Sequence, residues 1–283
     1  MAPGSPVHKE LFCRDFLDTH LPYNPATFEW PQLDDKTLAF LRSIPFWQEA
    51  LVTERRAGIM VKACADTLED PLIREAMTLQ AEEEARHGRL LECLIRHYDL
   101  PADLNPELHI PENSRAAFVD FGYGECIDSF LAFGFFDIAH QSGYFPEALF
   151  TLFDPVLYEE ARHITFFINW ITYERMRQGL GFAPLRGLAT VAGYFRAARH
   201  LIGAIGNASN SGAGFTASGA LVFAPDLTAT SFLNTCLEQN RQRMAQLDAR
   251  LLRPQLLPTL ARLGLGVLNL WPKSRPAATP SVG

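Results

Sequence analysis

Nowhere in its 283 residues does this chain carry a clean apolar run of about 20 residues, so nothing in it is expected to span a membrane. Basic charge is scarce: 25 Lys and Arg stand against 32 Asp and Glu, a formal net charge of −7. Without a basic footprint, nucleic acid is disfavoured as a partner. Cysteine is sparse and scattered (Cys13, Cys64, Cys93, Cys126, Cys236), odd in number and without C-x-x-C spacing. That excludes a disulfide framework and leaves reduced, mostly buried thiols in a reducing compartment. The opening Met1-Ala2-Pro3-Gly4-Ser5-Pro6 lacks the charged head and apolar core of a secretory signal, so the expected location is cytoplasmic. No flavin, nicotinamide or iron–sulfur motif is present, and any electrons the protein needs must come from a separate donor.

Against these absences stands one repeated pentapeptide, Glu83-Glu84-Ala85-Arg86-His87 and Glu159-Glu160-Ala161-Arg162-His163. Each copy contains Glu-x-x-His, which on an α-helix sets a carboxylate and an imidazole on one face, a turn apart. One such motif is weak evidence, because charged helices produce it by chance. Two copies, each with a further Glu upstream, match the way a four-helix bundle holds two metal ions.

Geometry picks the upstream partners. In consecutive antiparallel helices, ligands at the same height are equidistant from the joining turn. Glu54 and Glu84 have their midpoint at Glu69, inside Leu68-Glu69-Asp70-Pro71, and Pro71 suits the first turn of a helix. Glu125 and Glu160 have theirs between Ser142 and Gly143, beside a second turn signal ending at Pro146. At about 1.5 Å per residue, Glu54 and Glu84 each lie roughly 22 Å from their turn. Glu49 is the rival of Glu54, but its midpoint with Glu84 falls before the breaker, so Glu54 is the better choice.

The composition, 48% apolar and 20% charged, is that of a globular protein. The expected fold is all-α: a four-helix bundle over 45–178, preceded by an arm at 1–44 and followed by additional helices at 179–283. Residues 1–36 are rich in Pro and aromatics (Pro22, Tyr23, Pro25, Phe28, Trp30, Pro31) and suggest an extended arm with short helical pieces rather than a core element. The bundle helices are expected at about 45–68, 71–98, 114–141 and 146–178, long by soluble standards. A fifth helix is expected near 183–204, a loop at Asn207-Ala208-Ser209-Asn210-Ser211-Gly212-Ala213-Gly214, and a sixth helix near 227–250. From Ala249 onward there is no acidic residue, while Arg250, Arg253, Arg262, Lys273 and Arg275 are basic and many Leu and Trp271 supply an apolar face. The simplest expectation packs this segment on the bundle. The alternative is contact with a membrane surface or a protein, and a homodimer also stays open.

The chemistry follows from charge. Glu54, Glu84, Glu125 and Glu160 bring four negative charges, which two divalent cations would balance with His87 and His163 neutral. Burying four carboxylates without metal would cost many kcal/mol or force protonation. Oxygen-rich ligands with one imidazole per metal suit iron or manganese better than zinc. Glu83, Arg86, Glu159 and Arg162 are expected to brace the imidazoles from outside, a carboxylate taking the far ring N–H and an arginine holding the carboxylate. Asp128, one turn past Glu125, is a further candidate for that supporting role or for ligation. Gly58, Gly122, Ser129 and Ala132, with Phe133 and Phe167, are the candidates for a pocket beside the metals, with close helix packing the competing explanation for the small residues.

The pattern of Glu54, Glu84-x-x-His87, Glu125 and Glu160-x-x-His163 resembles the ferritin-like di-iron carboxylate superfamily over roughly residues 45–178. So does the stretch Glu125-Cys126-Ile127-Asp128-Ser129-Phe130-Leu131-Ala132-Phe133. The resemblance implies a ferritin-like bundle, a di-iron centre, and bridging roles for Glu84 and Glu160 with Glu54 and Glu125 terminal. Two departures narrow it. Reductase small subunits carry a radical tyrosine four residues after a ligand histidine, where this chain has Leu91 and Phe167. Related monooxygenases place an aspartate before the motif glutamate, where this chain has Glu83 and Glu159. The leading expectation is an oxygen-activating di-iron oxidase or oxygenase acting on dioxygen and a small or medium, largely apolar organic substrate. The alternatives are a ferroxidase or storage protein, or a dimanganese catalase.

Overall fold

The computed structural model describes residues 2–109, 111–179, 182–207, 223–224 and 226–270, and these are helical with no strand among them. Four long helices form the centre: α3 (Trp47–Ala65), α4 (Pro71–Tyr98), α5 (Ser114–Gln141) and α7 (Asp154–Arg177). They meet as a closed ring, α3 on α4, α4 on α7, α7 on α5 and α5 on α3. Preceding them are α1 (Pro6–Asp18) and α2 (Asp35–Ser43), and a short α6 (Glu147–Thr151) lies before α7. The chain continues with α8 (Ala183–Asn207), α9 (Ala229–Met244) and α10 (Leu256–Leu270). Of these, α8 packs on α5, α9 on α5 and α7, and α10 on α9 and α5.

Capping fixes the registers that carry the ligand candidates. Asp70 accepts from the backbone N–H groups of Leu72 and Ile73, and Pro71 occupies the first turn of α4, where its missing N–H costs nothing. The C-cap of α4 is Asp99, left-handed at φ 52°. Asn113 caps α5 through the N–H of Ala116.

The expected single helix over 146–178 is instead two, α6 and α7. Pro155 lies in the first turn of α7 and has no N–H to continue a helix from Thr151, so the chain turns at Leu152 and Phe153. The N-terminal arm also differs from expectation. Helix α1 is a core element: Phe12, Cys13 and Phe16 are buried against α4 and α7. The proline-rich stretch after it does run extended, with one 3₁₀ turn at Pro25–Thr27. All five cysteines are free, and four are buried.

The sixth predicted helix is shorter than expected, ending at Met244. Helix α10 turns Ala261 and Leu265 inward and leaves Leu260, Leu263, Val267, Leu268 and Leu270 exposed. The loop expected at 207–214 falls beyond the described residues after Asn207, as do Trp271, Lys273 and Arg275. Among the described residues, no helix is long and apolar enough to cross a membrane.

Candidate metal centre

The ring of four helices brings the predicted ligands to its axis. Helix α3 supplies Glu54, α4 supplies Glu84 and His87, α5 supplies Glu125, and α7 supplies Glu160 and His163. Ligand atoms of Glu54, Glu84, His87 and Glu160 all lie within 4.8 Å of one another, which suits a metal ion. His87 Nδ1 is 3.1 Å from Glu160, 3.5 Å from Glu54 and 3.8 Å from Glu84. His163 Nδ1 is 3.1 Å from Glu84 and 3.9 Å from Glu160. Glu125 completes the group through a hydrogen bond to Glu160. Glu49, five residues before Glu54, stands on the wall of an adjoining cavity instead.

Around this group the repeated Glu and Arg residues cross over. His87 Nε2 lies 2.9 Å from Glu159, the carboxylate of the other repeat, and His163 Nε2 lies 2.9 Å from Glu83. Arg162 Nη1 donates to both oxygens of Glu83 at 2.8 and 3.0 Å, and Arg86 donates to Glu159. Each carboxylate is fully buried and each is paired with a buried guanidinium, so neither charge is left uncompensated.

The N-terminal segment, which the sequence pattern did not connect with the site, closes this layer. His20 Nδ1 sits 2.8 Å from Glu83, and the Tyr23 hydroxyl donates to Glu159 at 3.0 Å. Thr19 Oγ1 accepts from Arg162 at 3.0 Å, as does the Phe16 carbonyl. The guanidinium of Arg86 lies 4.1 Å above the Tyr23 ring and that of Arg162 lies 4.3 Å from the Phe16 ring centre. Within α4, Gln80 donates to Glu84 at 3.2 Å. No signal in the sequence marks these partners, because they lie in an irregular segment 60 or more residues from the carboxylates they touch. A turn of helical spacing before Glu84 would have flagged Gln80 alone.

The donor set fits a metal on its own evidence. Ionised Glu83 and Glu159 only accept hydrogen bonds, so each facing Nε2 carries the ring proton. The lone pair of a neutral imidazole then falls on Nδ1. Both Nδ1 atoms are buried, aimed into the carboxylate group, and without a well-aligned hydrogen bond. A cation between them and the glutamates would satisfy both. In its absence the group is electrostatically strained. Burial pushes Glu54 up to about 7 against the opposing effect of His87. Burial, then the charges of Glu160 and Glu84, holds Glu125 well above the carboxylate range. Glu160 goes the other way: burial is outweighed by the His87 hydrogen bond and the charges of both imidazoles, which bring it down to about 2. For His163, burial is outweighed by the charge of Glu84 and hydrogen bonds to Glu83 and Glu84, which raise it to about 10.

Beside the centre lies a cavity of about 390 Å³, onto which Glu54, His87, Glu125 and Glu160 open. Ser129, Ala132 and Phe133 line it, as the sequence suggested. Gly58, Gly122 and Phe167 do not, and the competing explanation holds for them. A Cβ on Gly58 would lie 3.1 Å from the Ala85 nitrogen and 3.2 Å from the Ala81 carbonyl oxygen, so this glycine lets α3 approach α4. A Cβ on Gly122 would meet the Phe167 ring at 2.3 Å, and Phe167 itself packs edge-on to Tyr123 and Phe118. Asp128 is likewise not a support for a histidine: it faces the cavity, with no hydrogen bond to either imidazole. Burial, followed by the charges of Glu160 and Glu49, raises it to about 6.

Compared with protein-family models, with curated proteins and with solved structures, the chain matches none. The buried carboxylate and imidazole group, which can hold metal ions, therefore carries the functional reading by itself.

Proposed function

We propose that this chain is a ferritin-like di-iron oxidase or oxygenase that acts on a small or medium, largely apolar organic substrate. The observation that carries the reading is the cavity: an apolar space of about 390 Å³ ends on four of the six candidate ligands. Its size is within the range of small-molecule sites. A protein that only stored or oxidised iron would have no use for walls built from Leu41, Ile44, Phe135, Phe145 and Phe150.

Glu54, Glu84, Glu125 and Glu160 would balance two divalent cations, and His87 and His163 would each give one neutral nitrogen through Nδ1. Ferrous ions bound by these residues would supply the electrons for dioxygen reduction. Glu159 and Glu83 fix the tautomer and ring orientation of the two histidines, and Arg86 and Arg162 hold those carboxylates in place. The aromatic wall excludes water and orients the substrate against the centre. Reducing equivalents come from a separate reductase.

Metal identity and stoichiometry decide the matter, by elemental mass spectrometry on protein from cells given both iron and manganese. Two irons per chain, with one lost on His87→Ala or on His163→Ala, are expected, followed by oxygen consumption coupled to turnover of an apolar substrate. Two manganese ions would move the reading to peroxide chemistry. No metal, or a count unchanged by the substitutions, overturns it.

A further inference from the structure

Two carboxylates remain once the six candidate ligands are assigned. Glu49 on α3 and Asp128 on α5 both face the cavity, and neither belongs to the group that can hold a metal. Glu49 Oε2 is buried without a hydrogen-bond partner. Asp128 is half-buried beside Glu49 and Glu160, and among the described residues it makes no hydrogen bond or ion pair. Among the described residues no Lys or Arg lines the cavity, and its remaining walls are almost wholly apolar. The charge balance of the centre is already closed: four glutamates against two divalent cations. Glu49 and Asp128 are therefore surplus negative charge on a mostly apolar wall, which is costly to maintain without a cation or donor to meet it. Their apolar surroundings also strengthen any interaction made there.

We infer that the cavity takes an amine, with a protonated amino group received by Glu49 and Asp128 and an apolar body lying along the aromatic wall. This deepens the proposed function and rests on the six ligands being engaged by metal. An ammonium group supplies three donors and one positive charge, matching the empty acceptors. Alkylamines have pKa values near that of lysine, about 10.4, so the charged form dominates at neutral pH. The apolar wall, from Trp47 and Phe46 to Leu149 and Phe150, requires the rest of the molecule to be hydrocarbon or aromatic. A carboxylate-headed molecule would meet two like charges, and an alcohol of equal length would satisfy only part of the acceptor set.

The test is isothermal calorimetry on the metal-loaded protein with n-octylamine, n-octanol and octanoate. The amine is expected to bind at least tenfold more tightly than the alcohol, and octanoate least. Glu49→Gln and Asp128→Asn, near-isosteric changes on the cavity wall, are each expected to weaken the amine about tenfold or more. Octanol affinity should hardly change, and metal content should stay at two per chain. Equal affinity for amine and alcohol in the unaltered protein overturns the inference without any variant. Amine affinity that survives both substitutions does so too, since it would reflect attraction to the acidic surface alone. Metal loss in either variant would make that carboxylate a ligand and remove it from substrate binding. A protein that lacks metal from the outset instead fails the functional reading.

Discussion

The crossing of the two repeats makes a prediction that runs against sequence proximity. Glu83 lies four residues before His87, but it is hydrogen-bonded to His163, 80 residues away, at 2.9 Å. Glu83→Gln should therefore weaken the metal held through His163 and leave the partner held through His87. The amide still accepts from Nε2–H, but it no longer carries the charge that makes the imidazole more basic. Losing such a support typically costs 10–100-fold in metal affinity, about 1.4–2.7 kcal/mol. A cycle with chelator competition as the readout separates the pairs. In the His163→Ala background, Glu83→Gln should add almost nothing, because the imidazole it supports is gone. In the His87→Ala background it should exert its full effect. Glu159→Gln should show the mirror pattern, silent with His87→Ala and additive with His163→Ala, since it lies 2.9 Å from His87. Far-ultraviolet circular dichroism on each variant checks that the bundle persists. Should Glu83→Gln prove silent in the His87→Ala background and additive with His163→Ala, the crossed arrangement is refuted.

Three further outcomes are expected. Arg162→Leu leaves Glu83 without its guanidinium in a fully buried site and should cost about 3–5 kcal/mol in urea unfolding of the metal-free protein; a cost under about 1 would show the pair is not the tie it resembles. The metal-free protein should lose stability steadily as pH rises from 4.5 to 10, measured as Tm by calorimetry. Between 4.5 and about 7 the unfolded state gives up the Glu54 proton that the folded state retains, and between 6.5 and about 10 it gives up the His163 proton in the same sense. Metal loading, which makes both groups proton-free ligands, should flatten that slope, and a Tm rising over this range in the metal-free protein would contradict the electrostatic account. Finally, Gly122→Ala should destabilise by about 1–3 kcal/mol through collision with Phe167 while leaving metal content and ligand binding unchanged. Altered ligand affinity in that variant would return Gly122 to the cavity.

The site was readable in the sequence where helical periodicity does the positioning. Glu54, Glu84, His87, Glu125, Glu160 and His163 all converge because heights along a helix are fixed by residue count and the turns at Asp70 and Ser142 are marked by Pro and Gly. Helix α4 was found to the residue for the same reason, with Asp70 and Pro71 at its start. Legibility failed where a residue's role depends on which neighbour it meets. Gly58 and Gly122 have the small size that a pocket or a tight helix crossing would equally need, and only the positions of Ala85 and Phe167 decide between them. Short helical pieces were expected in the N-terminal arm but the burial of α1 was not, because its polar and apolar residues show no clear stripe and its burial comes from contact on two sides, by α4 and α7. His20 and Tyr23 were invisible for a related reason: an extended segment has no period from which to predict what it touches.

The symmetry of the repeats ends at the centre itself, and this asymmetry matters more for chemistry than the likeness does. On the His163 side, Phe16 of α1 covers the imidazole, its ring centred 6.0 Å away. Glu84 and His163 are buried to within 1% and do not reach the cavity. On the other side, Glu54, His87, Glu125 and Glu160 open onto the apolar space. Two metals held by equivalent motifs would thus be inequivalent, one enclosed and one facing the cavity. Among the described residues the cavity reaches the centre on the His87 side, so ligand exchange would take place there. The enclosed His163 side would be suited to retaining a metal. Replacing Ala132 on the cavity wall by Phe should therefore slow the entry of small ligands to the centre while leaving metal content at two per chain. Spectroscopic titration of the loaded protein with azide checks this, since azide that reached both metals from any direction would bind at an unchanged rate.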